Sequence, residues 1–92
     1  MNYSLEFTPR ALLDIKKHKK AGNQATLKKI KKLLIELMEH PETGSGQPEI
    51  LKYDLEGLYS RRINKKHRLV YDIKDEIVTV IILSAHSHYG DK

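Results

Sequence analysis

The sequence predicts an α+β fold of order βααββββ, a helical hairpin packed on a twisted, mostly antiparallel sheet. Three observations carry this. Tyr3, Leu5 and Phe7 alternate as a short opening strand. Two amphipathic stretches follow, joined tightly at Gly22-Asn23. After the loop that begins at His40, the chain reads as short strands separated by turns.

The first strand spans about Asn2 to Phe7. Thr8-Pro9 supplies an N-cap and a proline at the first helical position. The helix from about Pro9 to Lys20 is expected to turn Leu12 and Ile15 inward, with Ala11 or Leu13 beside them. Gly22 is its stop, and Asn23 caps the next helix. That second helix, about Gln24 to Glu39, repeats Leu27, Ile30, Leu34, Leu37 and Met38 on one side and lysines on the other. Pro41 ends it. The run from His40 to Pro48 is a loop by composition. Strands are then expected at Ile50–Tyr53, Leu58–Asn64, His67–Ile73 and Ile77–His88, with turns at Asp54–Gly57, Lys65-Lys66 and Lys74–Glu76. No repeat interrupts this order, and 92 residues suit one domain over residues 1–92.

With one Phe and no Trp, the core must rest on Leu, Ile and Val. The absence of Cys excludes disulfides and thiolate metal sites. Met1 to Glu6 does not read as a signal peptide, and no apolar run is long enough for a bilayer, so a soluble cytoplasmic protein without membrane partners is expected. The formal charge of +5 is concentrated in two places, eight lysines between Lys16 and Lys32 and the group Arg61, Arg62, Lys65, Lys66 and Arg68. Such surfaces attract phosphate backbones and acidic partners alike. The lysines read equally well as the solvated face of two helices. The arginines are more specific, because a guanidinium binds phosphate in a fork that lysine lacks.

Strand parity limits which groups meet. In Ile77–His88, a strand without a bulge puts Val78, Val80, Ile82, Ser84, His86 and His88 on one face. In His67–Ile73, Leu69, Tyr71 and Ile73 form the apolar set, with Arg68, Val70 and Asp72 opposite. Arg61 and Arg62 must point to opposite faces, so only one of them can join Arg68 on a given face. Glu49, between Pro48 and a strand, is a candidate general base. A carboxylate, a strand arginine and a terminal histidine together suit phosphodiester cleavage of RNA, which carries its own nucleophile in the 2′-OH and requires no cofactor.

The runs Gly44–Lys52, Leu55–Ile63, His67–Tyr71 and His88-Tyr89 resemble the YoeB (Txe) toxins of the RelE-like superfamily of bacterial toxin–antitoxin systems. The resemblance covers nearly the whole chain and implies the RelE-like fold. It also implies a ribosome-dependent endoribonuclease that cuts mRNA in the A site. By the same resemblance Glu49 is the general base, Arg68 steadies the scissile phosphate and His88 is the general acid. Tyr89 positions substrate, and Lys52 and Arg62 lie near the phosphate or ribosomal RNA. The implied partners are an acidic, YefM-like antitoxin, the 70S ribosome with its mRNA, operator DNA through the antitoxin complex, and in some members a second copy of the toxin. The chain departs from the family in continuing through Gly90-Asp91-Lys92 and in lacking tryptophan in its helical hairpin.

His86 and His88 form a His-x-His pair without a clear third ligand, so no metal site is expected. His86 reads as an exposed residue or a support to its neighbours. His18, His40 and His67 fall at element ends, where exposure is expected. The reading from a different class is a non-catalytic basic module that binds RNA or a regulatory partner.

Overall fold

The computed structural model describes residues 2–44, 48–51 and 57–86. Within them, β1 (Ser4–Phe7) leads into α1 (Pro9–Lys20) and α2 (Gln24–Glu39). After these come β2 (Glu49–Ile50), β3 (Tyr59–Arg62), β4 (Arg68–Lys74), a 3-10 turn (Asp75–Ile77) and β5 (Thr79–Ser84). The strands form one sheet in the order β1-β5-β4-β3-β2. β1 runs parallel to β5, and the remaining neighbours pair antiparallel. The expected α+β architecture and element order are those observed. Among the described residues, no helix is long and apolar enough to cross a membrane.

Local chemistry sets the helix ends. Thr8 Oγ1 accepts from the Ala11 N–H at 3.1 Å and Pro9 opens α1, as its cap signature requires. Gly22 sits at φ +68, its N–H bonds to Lys19 O at 3.1 Å, and the Asn23 N–H bonds to His18 O at 3.3 Å. Those two bonds are a Schellman ending, which satisfies carbonyls that the helix leaves orphaned. Asn23 then accepts from the Thr26 N–H and starts α2. Thr8 also ties β1 to the sheet, its backbone N–H bonding to Ile82 O at 3.0 Å and its hydroxyl to Leu83 O at 3.0 Å.

Between the helices and the sheet lie Ala11, Ile30, Leu33, Leu37, Leu69, Tyr71, Val80 and Ile82, all buried. Each fully buried aliphatic side chain contributes about 1.5–3 kcal/mol. Leu12 was expected inward but is 56% exposed, and Leu13 is 59% exposed. The inward face of α1 is instead Ala11, Asp14 and His18, with Ile15 partly covered. A small residue lets the helix approach the sheet, and the two polar residues on this face bond to the chain after β5. In α2, Leu33 is fully buried, while Leu27, Leu34 and Met38 are only partly covered.

The strands other than β4 are shorter than expected, while β4 keeps the expected length and is shifted by one residue, so that Lys74 lies in the strand and not in the turn. The last one starts at Thr79 rather than Ile77, because the 3-10 turn intervenes and Val78 adopts φ 48. A β-branched residue in this left-handed region is uncommon and costs roughly 1–2 kcal/mol. It also ends at Ser84 rather than running on to His88. Of the strand expected at Ile50–Tyr53, Ile50 lies in β2 and residues 52–53 lie outside the described set, as do residues 54–56 of the following turn.

Candidate functional site

Register places a polar group on the sheet face opposite the helices. Glu49 pairs with Ser60, Ser60 with Val70, and Arg62 with Arg68, and residues directly opposite share a face. Nη1 of Arg68 lies 2.6 Å from Glu49 Oε1 and 3.3 Å from Ser60 Oγ. The Arg68 side chain is 19% exposed and that of Glu49 is 54% exposed. Arg62 is exposed on the same face. The structure therefore brings together Glu49, Arg68 and Arg62 of the residues singled out from sequence. Lys52, His88 and Tyr89 lie outside the described residues. Ser60 was missed; a lone serine in a strand carries no signal, and only the register shows it between Glu49 and Arg68.

Arg61 does the opposite of Arg62. It enters the core, fully buried, where its Nε donates to Tyr71 Oη at 3.0 Å and its Nη1 to Glu36 Oε1 at 3.3 Å. Its Nη2 donates to the carbonyls of His40 and Thr43, and the Tyr71 hydroxyl donates to Pro41 O at 2.9 Å. Burial raises the Tyr71 pKa, and the adjacent guanidinium opposes that rise. Arg61 and Tyr71 thus anchor the start of the loop that leads to Glu49. A buried arginine surrounded by four acceptors holds such a loop more firmly than apolar packing, because every donor is directional.

The histidines also depart from expectation. His18 and His67 were expected to be exposed at element ends, but they are 3% and 7% exposed, and both pack against His86. Only His40 is exposed as expected. The reason is tertiary, since the end of α1, the turn before β4 and the end of β5 meet at one point. Burial foremost, then the neighbouring His86, His18 and Lys66, pushes the His67 pKa down to about 4. Burial and the nearby His18 and Lys17 lower that of His86. Alongside them, Asp14 Oδ2 accepts the Ala85 N–H at 3.0 Å and His18 Nε2 lies 2.8 Å from Ala85 O. Two side chains one turn apart on α1 therefore hold both backbone groups of the residue that follows β5. The sequence after Ala85 leads to His88.

Residues 7–89 match the family described as the YoeB-like toxin of bacterial type II toxin–antitoxin systems. The chain is 46% identical over 68 residues to Toxin YoeB of Synechocystis sp., covering 74% of this chain and 77% of that protein. It resembles the structure of a YoeB dimer from Staphylococcus aureus with a TM-score of 0.82 and 38% identity. It resembles a YoeB–YefM complex from the same organism with a TM-score of 0.80 and 39% identity. Each of these two structures is matched over 97% of this chain and 100% of the other.

Proposed function

The chain belongs to the YoeB-like toxin family of bacterial type II toxin–antitoxin systems, and from that premise we propose that it is an endoribonuclease that cleaves mRNA in the ribosomal A site and arrests translation. The observation that carries this reading is the contact of Glu49 with Arg68 on the sheet face opposite the helices, with Arg62 alongside. A carboxylate that can take a proton stands next to a forked cation that can hold a phosphate, which is the pairing that attack by a 2′-OH requires.

In this mechanism Glu49 removes the 2′-OH proton, and the 2′ oxygen forms a bond to the adjacent phosphorus. Arg68 turns its guanidinium from Glu49 to the non-bridging oxygens as charge builds there. The bond from phosphorus to the 5′ oxygen breaks, and His88 protonates that leaving oxygen. The products are a 2′,3′-cyclic phosphate and a 5′-OH end. Tyr89 stacks on a base, and Lys52 and Arg62 hold flanking phosphates. RNA supplies the nucleophile, so the step requires no metal ion.

The Staphylococcus aureus complex of YoeB with YefM supports a matching restraint here. A YefM-like antitoxin with an acidic segment would cover the basic face and present operator DNA with the complex, and the YoeB dimer supports self-association.

The test is induced expression followed by mapping of mRNA 5′ ends. Wild-type chain should produce new ends within translated codons, and His88→Ala and Arg68→Ala should produce few while still binding ribosomes. Ribosome binding by the wild type with no new ends would favour a non-catalytic RNA-binding module instead.

A further inference from the structure

Three imidazoles from distant parts of the sequence converge beside the end of α1. His18 belongs to the last turn of α1, His67 immediately precedes β4, and His86 follows β5. Their ring centroids are 4.3 to 4.8 Å apart. One ring nitrogen from each lies within 4.8 Å of the others, which among the described residues is the one such grouping of metal-ligating side chains. Three imidazoles on three separate segments, close enough for one ion to reach a nitrogen of each, are a donor set of the kind that binds transition metals.

The tautomer of His18 points the same way. Its Nε2 lies 2.8 Å from Ala85 O, and a carbonyl only accepts, so Nε2 carries the hydrogen. The lone pair of the neutral ring is then on Nδ1. Metal-bound histidines are oriented in this manner, with the second nitrogen donating to a backbone carbonyl or carboxylate. Asp14, fully buried one turn earlier, holds the N–H of the same Ala85 and so fixes the carbonyl that orients His18.

We propose that His18, His67 and His86 bind a transition-metal dication of the zinc type through three imidazole nitrogens, with solvent in the fourth position. Zinc–nitrogen distances of about 2.0–2.1 Å bring tetrahedral ligand atoms to about 3.4 Å from one another. The rings must therefore close by up to about 1.4 Å, with His86, the most exposed of the three, moving most. A cavity of about 570 Å³ lined by His18, His67, His86, Lys17, Asn64 and Lys66 opens on the cluster and gives the ion an entry. Neutral nitrogen donors suit zinc, nickel or copper and do not suit magnesium or calcium, which take oxygen ligands. The bound ion would join α1, the β3–β4 turn and the chain leaving β5. This inference does not depend on the ribonuclease reading.

Calorimetric titration of the full chain with Zn2+, with Mg2+ as the control, tests it. One Zn2+ should bind per chain and raise Tm, and Mg2+ should do neither. His86→Ala and His67→Asn should each weaken Zn2+ binding at least about tenfold, with helical and sheet content unchanged by circular dichroism. His40→Ala and His88→Ala should leave the affinity as it is. Absence of saturable Zn2+ binding would overturn the proposal. So would binding that survives His67→Asn, or binding lost with His88→Ala, which would place the ion on the His86-x-His88 pair. His67→Asn tests the site even where substitution of His18, which also holds Ala85, disturbs folding.

Discussion

Arg68 on β4 reaches past β3 to Glu49 on β2, and its Nη1 lies 2.6 Å from Glu49 Oε1. With more than half of the Glu49 side chain in solvent, such a pair contributes at most about 1 kcal/mol to stability. Its significance is therefore chemical. Arg68→Ala should lower mRNA cleavage by about 10²–10³-fold, and Glu49→Gln by about 10²–10⁴-fold. Both variants should unfold in urea within about 1 kcal/mol of wild type. A large loss of stability in either would mean that the pair is structural.

Arg61 and Arg62 should separate stability from activity. Arg61→Ala removes a fully buried guanidinium and leaves Glu36, Tyr71 and two loop carbonyls without their shared donor. It should cost about 3–5 kcal/mol in denaturant melts. Arg62→Ala, at an exposed position, should change stability by less than about 0.5 kcal/mol. Its effect should appear as weaker ribosome or RNA binding with a shallower salt dependence.

Gly44 adopts φ +119, and a Cβ there would meet Glu36 Oε1 at 2.5 Å and Arg61 Nη1 at 2.8 Å. Gly44→Ala should thus disturb the Arg61 anchor as well as strain the backbone, at about 1–3 kcal/mol. Gly22→Ala meets nothing within 4 Å. It should cost only the left-handed conformation, about 1 kcal/mol, and Gly22→Asn less. Equilibrium melts of the three variants give the order.

In the metal-free chain, buried His67 stays neutral down to about pH 4, whereas in the unfolded chain it takes up a proton near 6.5. Its surroundings are His18 from α1, His86 after β5, and Lys66, with Asp14 acting in the opposite sense. Between those pH values the unfolded state binds more protons. Stability is therefore unaffected above pH 6.5 and is lost as pH falls from 6.5 towards 4, by up to about 1.4 kcal/mol per pH unit. The lowered pKa of His86 acts in the same direction. Urea melts in EDTA at pH 7.5 and pH 5 should show the loss, and His67→Asn should reduce it.

Helix boundaries were legible because their signals are local. Thr8-Pro9 and Gly22-Asn23 cap and stop helices through bonds to residues within five positions. Parity likewise placed Arg61 and Arg62 on opposite faces and grouped Arg68, Val70 and Asp72. The sequence by itself also determined the family and the basic character of the surface. Only the tertiary structure decided which arginine entered the core, because that depends on which sheet face the helices cover. It alone set Ser60 beside Arg68, since a register is a relation between strands. It exchanged Leu12 for Asp14 and His18 on the inward face of α1, because polar groups can be buried wherever a distant backbone, here Ala85, satisfies them. The meeting of His18, His67 and His86 has the same origin, a contact among three segments that no local pattern encodes.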